Sequence, residues 1–471
     1  MGRPPPVTAF GPLLARQFAY LRPEGPAASR GEASSAKYHR GGAAMSKLAL
    51  LGGEPICRFE RVELWEPDRE RELALCRQII EERAFSDTGH PIALEFERRF
   101  RDLVAGTEYV LPQCNGTSTL LAAYFAVGVG PGDEVLTPTY NWICSFGPAT
   151  LLGARPVFCD IDPDTLCLDP ADLERWLTER TRAICVPHLF GAVCDMEPIL
   201  AFARRHGLAI VEDCAHSHGA TYDGKRIGSL GDVGSFSMQG ASPSGKPVAA
   251  GEGGVVGTSS RHCYERILAF GHLNRHNIAE ELTEPPLNGL TRAGWAMVKL
   301  RPNNLALCIA TVALDALEYR NRRVQENYDR LLALLADVPC LQPIRQYPKA
   351  RNAGYYGHMR VLFRPEAAEG VSPERFQQAV QAEGASLAGR CYDGYHVTPP
   401  YDTGMPYYDD GRGPISPAQG YRPQRRGDLP NAERVIPNIL AIPTMIDPPE
   451  GYIEAFAAAI RKVHDHVGEL L

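Results

Sequence analysis

From about residue 68 onward, helical periodicity alternates with short β-branched runs, the pattern of crossover units around a mainly parallel sheet. Ala93, Phe96, Phe100 and Leu103 recur at helical spacing and predict one amphipathic helix; a second is expected from Asn115 to Val127. Gly130-Pro131-Gly132-Asp133 is turn chemistry and leads into a strand at Glu134 to Leu136. Val157-Phe158-Cys159, Ala183 to Val186 and Leu208 to Val211 read as further buried parallel strands. A long helical stretch from Leu305 to about Leu335 predicts a bridge to a C-terminal domain that finishes with an amphipathic helix near Ile453 to Val467. Residues 400–430, dense in Gly, Pro, Tyr and Asp, predict an irregular loop. The expected fold class is therefore α/β: a large domain over 45–300 with a mainly parallel central sheet, and a bridging helix with a smaller C-terminal α+β domain over 301–471.

Composition adds to this picture mainly at the N-terminus. The 471 residues include 49 Lys plus Arg against 56 Asp plus Glu, with 44% hydrophobic and 22% charged residues, the balance of a globular protein. Residues 1–44 hold six basic residues and two acidic ones, so that stretch carries +4 and the remainder, of a total of −7, carries −11. Rich in Pro, Ala, Gly, Ser and Arg, it is expected to be a disordered extension. Translation is expected to start at Met45, an Arg-rich organellar presequence being the alternative, and a chain beginning at Met45 should keep its stability and ligand binding. An acidic body without basic clusters argues against a nucleic-acid partner, and no apolar run is long enough for a membrane span. The thirteen cysteines, scattered from Cys57 to Cys391 without a CxxC pair, read as buried thiols of a cytoplasmic protein and imply no metal site. Gly128, Gly130 and Gly132 follow a helix and precede a strand, the reverse of the order that aims N–H groups at a dinucleotide pyrophosphate.

Candidate chemistry centres on Glu212-Asp213-Cys214-Ala215-His216, which closes an apolar strand with two carboxylates where α/β proteins bind ligands. Alone, the Glu-Asp pair is equally compatible with a helix cap. Asn115-Gly116-Thr117-Ser118-Thr119 at a helix start offers hydroxyls and N–H groups to a phosphate. Trp142 offers an aromatic face, and Lys246, ahead of Gly251-Glu252-Gly253-Gly254, offers an amine. Together they describe a site for pyridoxal 5'-phosphate.

With these motifs in order, and with Leu51-Gly52-Gly53, Pro138-Thr139-Tyr140-Asn141-Trp142, Gly153-Ala154-Arg155-Pro156, His188-Leu189-Phe190-Gly191, Gly228-Ser229-Leu230-Gly231-Asp232, Phe236-Ser237 and Leu440 to Pro443 around them, the chain resembles the DegT/DnrJ/StrS sugar aminotransferases. These are fold type I pyridoxal phosphate enzymes, and the resemblance runs from about Leu48 to Val467. It implies that Lys246 holds the cofactor covalently and later moves the substrate proton, that Asp213 pairs with the pyridine nitrogen, that Trp142 stacks on the ring and that His216 contacts the ring or its phenolic oxygen. It implies phosphate contacts from Gly116, Thr117 and Ser237, and from Lys299 reaching across a homodimer. Substrate contacts are implied for His272, Asn274, Arg275 and His396; His188, after a strand, is a further candidate, and each of these residues has an ordinary core or loop role as its alternative. Arg301 is more readily structural.

The chain departs from the family at one place. Ser237 and Lys246 are nine residues apart rather than the family's five, and Ser242-Pro243-Ser244-Gly245 has the composition of a bulged turn. The expectation is that this insert bulges away and leaves Lys246 in place. The activity implied is transfer of an amino group from glutamate or glutamine to a nucleotide-linked keto-sugar or a keto-cyclitol. The alternatives are another pyridoxal phosphate reaction such as sugar dehydration, in whose enzymes histidine replaces the lysine, and a non-catalytic cofactor-binding relative.

Overall fold

The computed structural model describes residues 47–59, 67–241, 245–290, 294–295, 297–351 and 358–471. The expectations for residues 1–44 and Met45, and for Ser242 to Ser244, lie outside the described residues.

Helix α1 (Arg69–Glu82) opens on Asp68, whose carboxylate accepts from Arg71 N–H at 3.1 Å. Helix α2 (Pro91–Phe100) buries Ala93, Phe96 and Phe100 as the spacing predicts. Leu103 does not join them: Arg101–Ala105 widens into a π turn, which shifts the inward positions to Val104 and Ala105 and leaves Leu103 43% exposed.

The central sheet is assembled from β1 (Tyr109–Gln113), β2 (Glu134–Pro138), β3 (Arg155–Cys159), β4 (Thr181–Pro187), β5 (Ala209–Asp213), β6 (Val233–Ser237) and β7 (Gly254–Thr258). Their order across the sheet is β1-β7-β6-β5-β4-β2-β3, with β6 to β3 parallel and β7 antiparallel to both its neighbours. The central residues of these strands, such as Val135-Leu136, Ala183 to Val186 and Ile210-Val211, are apolar on both faces because both faces are covered. Ile184, Val186 and Ile210 enter one core with Met196, Ile199 and Phe202 of helix Met196–His206. Ala183, Cys185 and Val211, one residue out of phase, enter the other with helix Gly116–Ala126 and with Ile267 and Leu268 of helix Arg261–Gly271. In chain order these helices are α3 (Gly116–Ala126), α4 (Met196–His206) and α5 (Arg261–Gly271).

The helical stretch expected from Leu305 is two helices, α6 (Asn304–Asp315) and α7 (Leu317–Leu334), parted at Ala316. Beyond them an antiparallel sheet of β8 (Leu341–Pro343), β9 (His358–Phe363) and β10 (Ile439–Pro443) packs Val361, Phe363, Leu440 and Ile442 against α8 (Pro373–Ala382) and α9 (Tyr452–Asp465). The N-terminal Leu48 and Cys57 enter the same core. The buried Glu383 carboxylate accepts from Ala49 N–H at 2.7 Å and from the Lys462 ammonium at 2.9 Å, tying three distant segments together. Up to Pro430, where a short helix (Pro430–Val435) begins, residues 400–429 hold one 3-10 turn at Pro417–Gln419 among turns and bends, the irregular course that their composition predicts. No helix among the described residues is long and apolar enough to cross a membrane.

Candidate active site

Strand alternation separates the two carboxylates that end β5. Glu212 is fully buried, and its carboxylate accepts from the backbone N–H groups of Gly228 (2.8 Å), Leu230 (2.8 Å) and Gly231 (2.6 Å). His188 Nε2 lies 3.2 Å from the same carboxylate, and His188 Nδ1 accepts from Cys194 N–H. His188, a candidate substrate contact, is therefore a core residue with both ring nitrogens occupied. The ligand atoms of His188, Glu212 and Cys214 lie within 4.8 Å of one another, but these bonds already engage both Glu212 oxygens and make the cluster a hydrogen-bonded anchor. Glu212→Gln replaces one acceptor oxygen with an NH2 that faces backbone N–H groups. It should cost about 2–3 kcal/mol, the scale of hydrogen bonds to a buried charge, read as a lower urea midpoint.

Asp213 faces the other way, into the site. Its Oδ2 accepts from Ser145 Oγ at 2.6 Å and its Oδ1 from Ala215 N–H at 3.1 Å. Lys246 is buried nearby. Burial pulls its ammonium down to about 7, against the opposing pull of Asp213 and Cys144. The lysine leaves its loop in a defined way: Lys246 N–H donates to Gln239 O at 3.0 Å, Gly245 N–H to Ala241 O at 2.7 Å, and Gly240 and Gly251 bridge each other at 2.7 and 2.8 Å. Ala241 and Gly245 are thus joined directly by a hydrogen bond, and Lys246 is tied to Gln239.

Helix α3 begins where β1 ends. Asn115 Oδ1 accepts from Ser118 N–H at 2.8 Å, and Ser118 Oγ accepts from Asn115 N–H at 3.3 Å. A Cβ on Gly116 would lie 2.5 Å from Ser237 Cβ, so glycine alone lets the helix N-terminus meet β6. Thr117 is exposed at the same end. Gly116, Thr117 and Ser237 thereby form an N–H- and hydroxyl-rich cradle suited to a phosphate.

Trp142, 38% exposed, begins an aromatic wall. Its ring centroid is 5.7 Å from Tyr392; Tyr392 stacks on Phe190 at 5.6 Å, and Phe190 on His216 at 5.2 Å. The Arg360 guanidinium lies 3.5 Å above Phe190. His216 Nδ1 accepts from Phe190 N–H at 3.1 Å, and burial, reinforced by Lys246 and Arg360, holds the imidazole neutral.

The family model for the DegT/DnrJ/EryC1/StrS aminotransferase family matches residues 67–459. The chain belongs to that family. It is 35% identical over 356 residues (74% of this chain, 81% of the relative) to L-glutamine:2-deoxy-scyllo-inosose aminotransferase of Streptomyces fradiae. It is 32% identical over 443 residues (90% and 99%) to L-glutamine:scyllo-inosose aminotransferase of Streptomyces griseus. Among solved structures it is similar to DesI in the presence of its TDP-sugar product, with a TM-score of 0.73 and 26% identity over 90% of this chain and 97% of that one. An aminotransferase from Psychrobacter cryohalolentis shares the fold, with a TM-score of 0.75 at 23% identity over 87% of this chain and 100% of that one.

Other residues singled out from the aminotransferase sequence are placed differently. Arg275 forms a two-pronged, buried ion pair with Glu97 through Nη1 and Nη2 at 2.8 and 2.9 Å. His396 is buried with Nδ1 2.8 Å from Thr139 Oγ1 and Nε2 3.0 Å from Glu433, so neither nitrogen is left to a substrate. His272 is buried and kept neutral by burial and by Arg275 and Arg301; neither of its ring nitrogens has a hydrogen-bond partner among the described residues. Asn274 is exposed in a left-handed turn (φ 60°). Lys299 is exposed, and the next residue, Leu300, accepts from Cys114 N–H at 2.7 Å, beside the start of α3.

The wall residues Phe190, Tyr392 and Arg360, together with Asn141, Cys144 and Ser145 under Asp213, carry no role in the sequence reading. Arg360, from β9, has no local signal.

Gly116→Ala tests the cradle. Overpacking of this kind costs about 1–3 kcal/mol, so cofactor affinity of the apoprotein should fall about 5- to 150-fold in an absorbance titration, with little change in fold.

Proposed function

We propose that this aminotransferase uses pyridoxal 5'-phosphate to move the amino group of glutamine, or glutamate, onto the ketone of a keto-cyclitol, a nucleotide-linked keto-sugar being the other acceptor class. The observation that carries the reading is a buried lysine, Lys246, with its amine near neutrality beside a buried carboxylate, Asp213.

The side chains fit the cofactor. The close approach of Gly116 to Ser237 suits a phosphate at the N-terminus of α3, with Thr117 beside it. Trp142 would cover one ring face, His216 would lie against the ring, and Asp213 would meet the pyridine nitrogen. When bound, the cofactor supplies a carbonyl that takes up the amino group and a ring that accepts electrons from the carbon losing its proton.

The remaining work belongs to the chain. Lys246, about half of it neutral near pH 7, can accept the donor's Cα proton and return it to the cofactor-side carbon, which a lysine of ordinary basicity could not do while charged. Asp213, held by Ser145 and Ala215, would present its carboxylate to the ring nitrogen. Phe190 and Tyr392 exclude water from that side. The donor gives up its amino group, takes an oxygen from water and leaves as a 2-keto acid; the amino group replaces the acceptor's ketone oxygen, which is released as water. The relatives named for inosose acceptors, similar over most of the chain, support the cyclitol over the sugar. Lys299, exposed on this protomer, is read as reaching the phosphate of a second copy, which makes the working unit a homodimer.

The test is transfer of 15N from α-labelled glutamine or glutamate to keto-cyclitols and to keto nucleotide sugars, followed by mass spectrometry. Labelled aminocyclitol is expected. No labelled amine from any ketone, with a visible cofactor band that neither donor changes, would overturn the reading.

A further inference from the structure

Asp213 is served by a hydroxyl that the sequence motifs leave without a role. Ser145 Oγ lies 2.6 Å from Asp213 Oδ2 and 2.9 Å from Asn141 Oδ1. One hydroxyl proton cannot serve both acceptors fully. Asn141 Oδ1 already accepts from Trp142 N–H at 2.7 Å, whereas the carboxylate is charged and closer, so the Ser145 proton belongs to Asp213. Ser145 is itself immobilised. It is buried in the 3-10 turn Ile143–Ser145; its N–H donates to Trp142 O at 3.0 Å, and its carbonyl accepts from Tyr124 Oη and, at 3.3 Å, from Cys185 Sγ. The same turn begins at Trp142, so one rigid element carries both the exposed ring and the donor to Asp213.

We propose that Ser145 is a positioning residue that sets the basicity of Asp213, with Asn141 coupling it to Trp142. The inference rests on the pyridoxal phosphate reading of the site. By donating to the carboxylate, Ser145 weakens its hold on the proton it shares with the ring nitrogen, so the proton stays on the nitrogen and the ring remains a strong electron sink. Without the hydroxyl the proton shifts toward Asp213, the ring carries less positive charge, and the lysine nitrogen bonded to the cofactor becomes more basic.

Wild type, Ser145→Ala and Ser145→Thr are compared as holoenzymes and as apoproteins. Ser145→Ala should lower kcat about ten- to a hundredfold, the range for one hydrogen bond to a charged group, with the donor's KM nearly unchanged. It should also move the pH midpoint of the visible absorption of the lysine-bound cofactor upward, and Ser145→Thr, which keeps the hydroxyl, should restore both. Apoprotein melting temperatures separate this from simple damage. An unmoved midpoint in Ser145→Ala, or equal losses in the Ala and Thr variants that follow their melting temperatures, overturns the proposal. Should Ser145→Ala fail to fold, Ser145→Cys, a weaker donor of similar size, must show the raised midpoint or the proposal falls. Failure of the wild type itself to take pyridoxyl label on Lys246 after borohydride reduction would instead overturn the cofactor reading beneath it.

Discussion

Lys246→Ala is expected to lower kcat by more than about 10⁴-fold, beyond the usual range for one positioned acid–base group, because the same amine would hold the cofactor and move the proton. Borohydride reduction and peptide mapping should place pyridoxyl label on Lys246 in the wild type and nowhere in the variant; label on Lys225 or Lys299 would refute the assignment. The substitution has a second consequence for the apoprotein. The folded-state value, about 7, lies below the ordinary 10.5, so between these values the unfolded chain binds a proton that the folded chain does not. The burden that Lys246 places on folding is therefore full below about pH 7 and fades as pH rises toward 10.5. Lys246→Met should raise the urea midpoint of the apoprotein near neutrality and lose that advantage at about pH 10. An advantage independent of pH would mean that the amine is not desolvated.

Asp213→Asn should lower kcat about 10²–10³-fold, the scale of removing one pre-organised electrostatic partner, while the apoprotein melts as the wild type does. The amide fits the same space: its oxygen can still accept from Ala215 N–H, and its NH2 can donate to Ser145 Oγ. What it cannot supply is the negative charge that keeps a pyridine nitrogen protonated. Steady-state kinetics and circular dichroism together decide the matter, and turnover at the wild-type rate would remove Asp213 from the site's chemistry.

Much of the scaffold under these residues was legible in the chain. The strands at residues 134–136, 157–159 and 183–186 appear and run further than expected, and the one expected at 208–211 appears at Ala209–Asp213, starting one residue later and ending two later. They were readable because the middle of a parallel strand covered on both faces is a run of apolar residues, just as α3 was readable because Asn115 and Ser118 cap it from within four residues. Leu103 falls outside the buried face because a π turn at Arg101–Ala105 changes the phase of the helix without changing its composition, while the helical stretch expected from Leu305 is present with one break at Ala316.

Local sequence thus determined the order of cradle, ring, carboxylate and lysine, together with the strands and helices that present them, because those signals act within a few residues. Which polar side chains face the site was decided only in three dimensions. His188, Arg275 and His396 have the residue types of ligand contacts, and each pairs with a carboxylate, 24, 178 and 37 residues away in the chain. Ser145 reaches Asp213 across 68 residues, and Arg360 arrives over Phe190 from the other sheet. A hydrogen bond of that span leaves no periodicity or motif behind, because what selects the partner is the packing of distant elements rather than the chain between them.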